Sequence, residues 1–468
     1  MSVASAPLRS VSVWIAFLAA HVALVALNLT APGFPLGDVT SVYWFWTNQA
    51  FGADYWVGID APWVYPVLAL VPILGSYALY PVAASIPALV PLTLDASLYS
   101  VTWLALIVVL DVVAFAALVG RGRSRRRRIA GWWWSLFLVA LGPIALARID
   151  AVTVALAVAG VVVVASRPLL ATVLLTAAAW IKVWPGVLVV ALVVTLRERG
   201  RVLGIALATS AVVAIIALAA GSGANVASFV GQQTGRGLQV EAPVSTFWMW
   251  GAILDPSTTE VDYDTDILTW QVDGPGSELV SAVMTPLLIV VVGLVCGLGA
   301  LVVRRGVDAS VVLPPLALSL VTSLIVFQKV GSPQFISWLA VPVILGLVGQ
   351  HSRGVRAPAD AGVRAAGSRL GIHVSVVLVT VIAALTHALY PYLYGYLLGL
   401  WPEMLVVLTV RNALLVALLA WAVVCLARLR PEAAVPGGST VGSSRSEADA
   451  ERHTDGHARA TVVDTAHL

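Results

Sequence analysis

The chain has little charge, almost no cysteine and no nucleotide-binding loop. Only 11% of its 468 residues are Asp, Glu, Lys or Arg. An average soluble domain carries roughly one quarter, so the composition argues against a soluble globular protein. Cys296 and Cys425 both sit inside apolar runs, so no disulfide framework is implied. No His, Cys and Asp cluster has metal-ligand spacing, and neither a metal nor a cofactor is expected. The missing Walker loop and dinucleotide fingerprint disfavour a cytoplasmic nucleotide-driven engine. The long apolar runs do not alternate with polar residues, which excludes a membrane β-barrel.

What the chain has in quantity is apolar sequence. It is 60% hydrophobic, with a mean hydropathy of +0.94. Apolar stretches of about 18 or more residues recur, the signature of membrane-spanning helices. The expected fold is all-α: a polytopic transmembrane bundle of about 10–13 spans, some short or re-entrant. The clearest spans are 11–30, 97–119, 130–147, 150–165, 202–220, 280–303, 308–327, 335–349, 371–390 and 404–427. The run Val11–Leu29 lacks a small-residue cleavage site and reads as a retained helix. Residues 1–430 are expected to form one transmembrane domain. Residues 431–468, rich in Gly, Ser, Glu, Arg and His, are expected to be a disordered cytoplasmic tail.

The basic residues are clustered. Arg121, Arg123 and Arg125 to Arg128 form one group, and Arg197, Arg199 and Arg201 a second. Arg304-Arg305, then Arg353, Arg356, Arg364 and Arg369, then Arg428 and Arg430, form the others. Each group abuts an apolar span, so they read as cytoplasmic loops and not as a nucleic-acid surface. Acidic residues gather in 31–62 and 221–279, the expected outer face. Two segments do not fit simple spans. Residues 63–96 hold five prolines and must cross an even number of times, which suits a re-entrant or broken pair of helices. Residues 169–196 join two cytoplasmic flanks and are too short for two full spans; two half-helices breaking near Pro185 are expected.

Several residues could carry chemistry. Asp38, in Gly37-Asp38 ahead of Tyr43, Trp44, Phe45 and Trp46, reads as a helix N-cap or as a general base for an acceptor hydroxyl. Lys182 lies at membrane depth and is either snorkelled or part of the bundle. Arg236, among flexible glycines, reads equally as a phosphate ligand or as a salt bridge to Glu241. Lys329, at an outer edge beside Ser332-Pro333-Gln334, reads as a lipid-phosphate ligand or an interfacial anchor. Arg148 and Asp150 are expected to pair at the outer rim. Asp111 needs a partner inside the bundle. His387, Tyr390, Tyr392, Tyr394 and Tyr396 read as an aromatic belt.

Four stretches also carry a resemblance. Gly37-Asp38-Val39-Thr40-Ser41-Val42-Tyr43 is similar to a Gly-Asp-x4-Tyr loop. Val64-Tyr65-Pro66 is similar to a Tyr-Pro-Pro element, with Val67 in place of the second proline. Ala178-Ala179-Trp180-Ile181-Lys182-Val183-Trp184-Pro185 is similar to a small-residue, Lys, x, x, Pro element. Lys329-Val330-Gly331-Ser332-Pro333-Gln334-Phe335 is similar to a Lys-x-x-Ser-Pro-Gln-aromatic element. In this order the stretches resemble membrane glycosyltransferases of the C superfamily. More narrowly they resemble glycosyltransferase family 87, the polyprenyl-phosphate-mannose-dependent α-mannosyltransferases of actinobacteria and their relatives.

The resemblance implies a bundle of the C-superfamily type with its site built from extracytoplasmic loops. It implies transfer of a sugar, expected to be mannose, from a polyprenyl phosphate to a hydroxyl of a glycolipid or cell-wall glycan. Asp38 takes the role of base. On this reading Lys329 and Arg236 hold the donor phosphate, and Tyr43, Tyr65, Gln239, Glu241 and Gln334 contact substrate. The partners expected are the donor, the acceptor and membrane lipid, with no nucleic acid. The expected location is the plasma membrane of a bacterium, an actinobacterium on this resemblance. A lipid or sugar transporter or flippase is the rival, and would show inverted repeats; 63–96 and 169–196 are irregular but form no clear two-fold pattern. A structural assembly protein with a degenerate site is the third reading.

Overall fold

Apolar runs become helices in lipid because a helix satisfies its backbone hydrogen bonds within one segment. The computed structural model describes residues 5–86, 96–232, 235–265, 267–349 and 361–431. Pro87, Pro91, Gln233, Asp266, Arg353, Arg356 and the expected tail from 432 lie outside the described residues. Among the described residues, eight helical stretches are long and apolar enough to cross a membrane. They are Val11–Thr30, Val67–Ala84, Ser97–Val119, Arg199–Ala219, Ser277–Arg304, Ala309–Val326, Gly371–Leu389 and Pro402–Ala427. The chain is a helical, multi-pass membrane protein.

Three further expected spans are helices below the length that marks the eight. The helix expected over 130–147 runs instead over Arg125–Leu141, so four arginines form its first turn. It stops there because Gly142 takes a φ of +76° and Pro143 follows, and neither continues an α-helix. Ile149–Val163 is about 22 Å long by helical rise, short of the roughly 30 Å hydrocarbon core. It tolerates this because nearly all its residues are buried among other helices. Pro333–Leu339 is a tight 3₁₀ stretch that leads into the helix Ala340–Gly349.

The second irregular segment turns back. Helices Pro168–Ala179 and Gly186–Thr195 are two half-helices meeting at Trp180–Pro185, as the basic flanks required. Val67–Ala84, though apolar enough to cross, has contacts at both ends with the Asp38 end of the bundle. Leu68 N–H donates to Trp180 O at 3.1 Å near its start, and Tyr80 stacks on Trp44 at its far end. In between, Tyr99 donates to Ile73 O at 3.0 Å and Ser76 meets Thr102 at 3.3 Å, so the stretch lies along the first turns of Ala96–Val119. Aromatic contacts hold it against Trp44 and Tyr99.

The long loop after Ala219 holds the helix Thr246–Leu254 and one antiparallel hairpin, β1 (Glu260–Asp264) and β2 (Thr269–Asp273). The hairpin is a small addition to an otherwise helical fold. Residues 238–240 run along β2: Val272 N–H donates to Leu238 O at 2.9 Å and Val240 N–H to Trp270 O at 3.2 Å. Leu238, Val240, Trp248, Met249 and Val272 then form a second core against Leu389, Leu397, Leu405 and Leu408. This packing locks the loop onto the ends of two spans. Deep in the bundle, Asp111 finds its partner: His21 Nε2 lies 3.1 Å from its carboxylate, joining Ser5–Thr30 to Ala96–Val119.

Candidate functional site

Asp38 opens a short helical turn, Asp38–Tyr43, that continues into Trp44–Gly52. It does not act as an N-cap: Gly37 holds the cap position and makes no side-chain bond. Its carboxylate instead forms an ion pair with Arg148, whose Nε lies 3.0 Å from Asp38 Oδ2, with the Asp38 side chain 38% exposed and the Arg148 side chain 9% exposed. Arg148 is held from behind by Pro35 O at 2.6 Å, Ala147 O at 2.9 Å and the Tyr390 hydroxyl at 2.9 Å. The carboxylate is thus aimed by a buried cation while its outer side stays open to solvent. Tyr43 is fully buried and its hydroxyl accepts from Ile149 N–H at 3.1 Å. It supports the Asp38 turn.

The expected Arg148–Asp150 pair does not form. Asp150 is buried and accepts from Lys182 Nζ at 2.9 Å and from Trp338 Nε1 at 2.7 Å. Lys182 therefore belongs to the bundle and does not snorkel to the cytoplasmic side. Its ammonium also lies 5.2 Å from the Tyr65 ring centre and 5.4 Å from that of Phe335. Trp184 stacks on Trp338 at 5.3 Å and donates to Thr153 at 2.9 Å. The tip of the half-helix pair is thereby tied to Ile149–Val163 and to Pro333–Leu339. Tyr65 lies within electrostatic reach of Asp38, Lys182 and Asp150, and Arg236 feels it in turn.

Arg236 and Lys329 line one cavity of about 380 Å³. A volume of that order is in the range of small-molecule sites, about 300–1,000 Å³. Lys329 is buried. Burial, and then the guanidinium of Arg236, hold its ammonium below the usual lysine value. Burial likewise lowers Arg236. Arg236 also feels the opposite charge of Asp264, which favours its charged form. The strand-like run to the cavity is placed by two backbone contacts. Gln239 N–H donates to Lys329 O at 3.0 Å. Gly331 passes so close to Glu241 and Ala242 that a Cβ would strike their backbone, so the crossing requires glycine.

Glu241 lies at the centre of another network. Arg411 Nη1 donates to its carboxylate at 2.7 Å and Arg411 Nη2 to its backbone O at 2.6 Å. Asn412 supports Arg411 and bonds Thr246 at 2.8 Å. Glu241 therefore does not pair with Arg236; it anchors the loop to Pro402–Ala427. Gln239 is also buried, and among the described residues its Nε2 has no hydrogen-bond partner. Gln334 is buried in the 3₁₀ stretch. Of the expected belt, Tyr390 serves Arg148, and His387 packs against Gly142. Arg411, Trp338 and Tyr390 were not expected to serve the site. An arginine inside an apolar span is itself a signal, and Arg411 could have been flagged on that ground.

Asp38 does not line the Arg236–Lys329 cavity. The chain matches no family model, no curated protein and no solved structure.

Proposed function

We propose that the protein is a membrane glycosyltransferase. It moves a sugar, mannose on the resemblance of its motifs, from a polyprenyl phosphate to a hydroxyl of a glycolipid or cell-wall glycan. The site faces the extracytoplasmic side of a bacterial plasma membrane. The observation that carries this reading is the division of charge in the outer loops. A solvent-accessible carboxylate, Asp38, is held by a buried arginine, and two cations, Arg236 and Lys329, share a separate cavity.

The chemistry balances on these groups. Asp38 takes the proton of the acceptor hydroxyl as its oxygen attacks the anomeric carbon of the donor. The bond between that carbon and the phosphate oxygen breaks, and polyprenyl phosphate leaves with the electron pair. Arg236 and Lys329 stabilise the charge that grows on it; removing one such group from a dry site costs about 3–4 kcal/mol.

A flippase would also use a broken helix pair with a charge at its tip, as at Lys182. Membranes carrying the protein, incubated with radiolabelled polyprenyl-phosphate sugar, separate the readings. Label appearing in a glycolipid or glycan supports transfer. Label that changes leaflet while remaining on the polyprenyl phosphate overturns it in favour of transport.

A further inference from the structure

The helix Arg125–Leu141 exposes one narrow face. Its exposed residues are Arg125, Ile129, Trp132, Leu136 and Val139. Steps that alternate between four and three residues keep them on a single stripe of the helix. The other faces press Ala130, Trp133, Trp134, Phe137 and Leu138 into the core. The stripe is basic at its head, aromatic in the middle and aliphatic below. Arg125 and Leu136 lie about 16 Å apart by helical rise. The hydrocarbon core of a bilayer is roughly 30 Å thick, so the stripe matches the depth of one leaflet.

The turn ahead of this helix is held in place and strongly basic. Gly120 and Gly122 take φ of +56° and +68°, which lets the chain reverse after Ala96–Val119. Arg127 Nη1 donates to Ala117 O at 3.0 Å and to Leu118 O at 3.3 Å, and Arg128 Nη1 donates to Gly122 O. These two arginines satisfy carbonyls at the end of Ala96–Val119 and close the turn. Arg121, Arg123 and Arg125 are exposed, and among the described residues no ion pair reaches them. From residue 112 to residue 149 the sequence has no Asp or Glu. Three guanidiniums on a fixed turn therefore stand at the head of an apolar stripe, with no acidic residue of their own turn or helix to balance them.

A nucleic acid or an acidic peptide would match the arginines and leave Ile129, Trp132 and Leu136 without a counterpart. An anionic phospholipid matches both parts at once. We propose that this surface holds an anionic phospholipid, with its phosphate on the exposed arginines and an acyl chain along Ile129, Trp132 and Leu136. A guanidinium presents a planar fork of N–H donors that suits phosphate oxygens. A Trp ring one or two turns below settles at the boundary between headgroup and hydrocarbon. The arginine-rich turn is expected to lie on the cytoplasmic side, so the lipid belongs to that leaflet. The surface begins at the opposite end of the helix from Gly142 and so does not depend on what Asp38 does.

The test places the full chain in nanodiscs of equal phosphatidylglycerol and phosphatidylcholine and reads retained lipid by native mass spectrometry. Each arginine near an anionic surface is worth about fivefold in binding, so wild type is expected to retain phosphatidylglycerol at least about tenfold over phosphatidylcholine. Arg121→Gln, Arg123→Gln and Arg125→Gln together are expected to bring the ratio within about twofold of one. That variant keeps Arg127 and Arg128, and with them the hydrogen bonds that close the turn. Trp132→Ala leaves every charge in place and is expected to lower phosphatidylglycerol retention about threefold through lost apolar contact. Arg197→Gln, Arg199→Gln and Arg201→Gln together are the control and should leave the ratio as in wild type. If the Arg121, Arg123 and Arg125 variant retains phosphatidylglycerol like wild type, the site is overturned. If the control loses as much, the attraction is a general one to positive charge and the site is again overturned. Unchanged retention in Trp132→Ala would overturn the acyl seat. Inorganic phosphate binding to lipid-free wild type in detergent as tightly as phosphatidylglycerol does would make this a free-anion site and overturn the lipid assignment.

Discussion

Arg148 Nε lies 3.0 Å from Asp38 Oδ2, and the arginine is the more deeply buried of the two. The cation comes from the start of Ile149–Val163, most of whose residues are buried, and the carboxylate from the loop after the first span. The pair therefore sets the loop on a rigid base and leaves one side of the carboxylate accessible.

If Asp38 is the base, Asp38→Asn retains an oxygen to accept from Arg148 but cannot take a proton. Turnover of polyprenyl-phosphate sugar should fall roughly 10²–10⁴-fold. Thermal unfolding in detergent should shift little, because Arg148 keeps Tyr390, Pro35 and Ala147 as partners. Activity within about threefold of wild type would remove Asp38 from the chemistry, since general-base loss is never that mild.

Lys182 and Asp150 should behave as one unit. Lys182→Met leaves the buried Asp150 charge with Trp338 alone, and Asp150→Asn leaves the ammonium between two rings. Each single variant should lose about 3–5 kcal/mol, and the double variant should lose less than the sum. Strict additivity in unfolding midpoints would show that the pair is not coupled.

The lowered Lys329 ammonium gives a pH signature. An anionic headgroup binds the charged form. Binding is therefore complete below the lowered value and is lost as pH rises through it, earlier than at an ordinary lysine near about 10.4. Titrating polyprenyl phosphate binding should show this alkaline loss in wild type. Lys329→Arg should remove it, because a guanidinium stays charged throughout. The same alkaline limb in both proteins would mean that another group is responsible.

Single cysteines at Ser257 and Ser124, both exposed, test the sidedness of the loops in a background without Cys296 and Cys425. An impermeant maleimide on whole cells should label Ser257→Cys and spare Ser124→Cys, because the arginines after Ser124 hold that loop inside. Equal labelling would place the Asp38 face on the wrong side for an outward site.

The spans and the returning segment 169–196 were legible in the sequence because they depend on local properties. A run of apolar residues makes a helix in lipid whatever its neighbours do, and prolines with basic flanks decide where 169–196 must turn. That Asp111 needed a partner was equally plain, since a lone charge at that depth is untenable. Which charges meet is a different matter, and only packing decided it. Arg148 and Asp150 are two apart at the start of one helix, a spacing at which side chains point away from each other. So each found a partner on another element, Asp38 and Lys182. Arg236 and Glu241 are five apart, and the chain between them runs alongside a strand, where an odd spacing puts side chains on opposite faces. Glu241 turned inward to Arg411, and Arg236 turned to the cavity that Lys329 shares. The residue types that such a site needs are written in the chain, but their pairing required helices far apart in sequence to pack side by side.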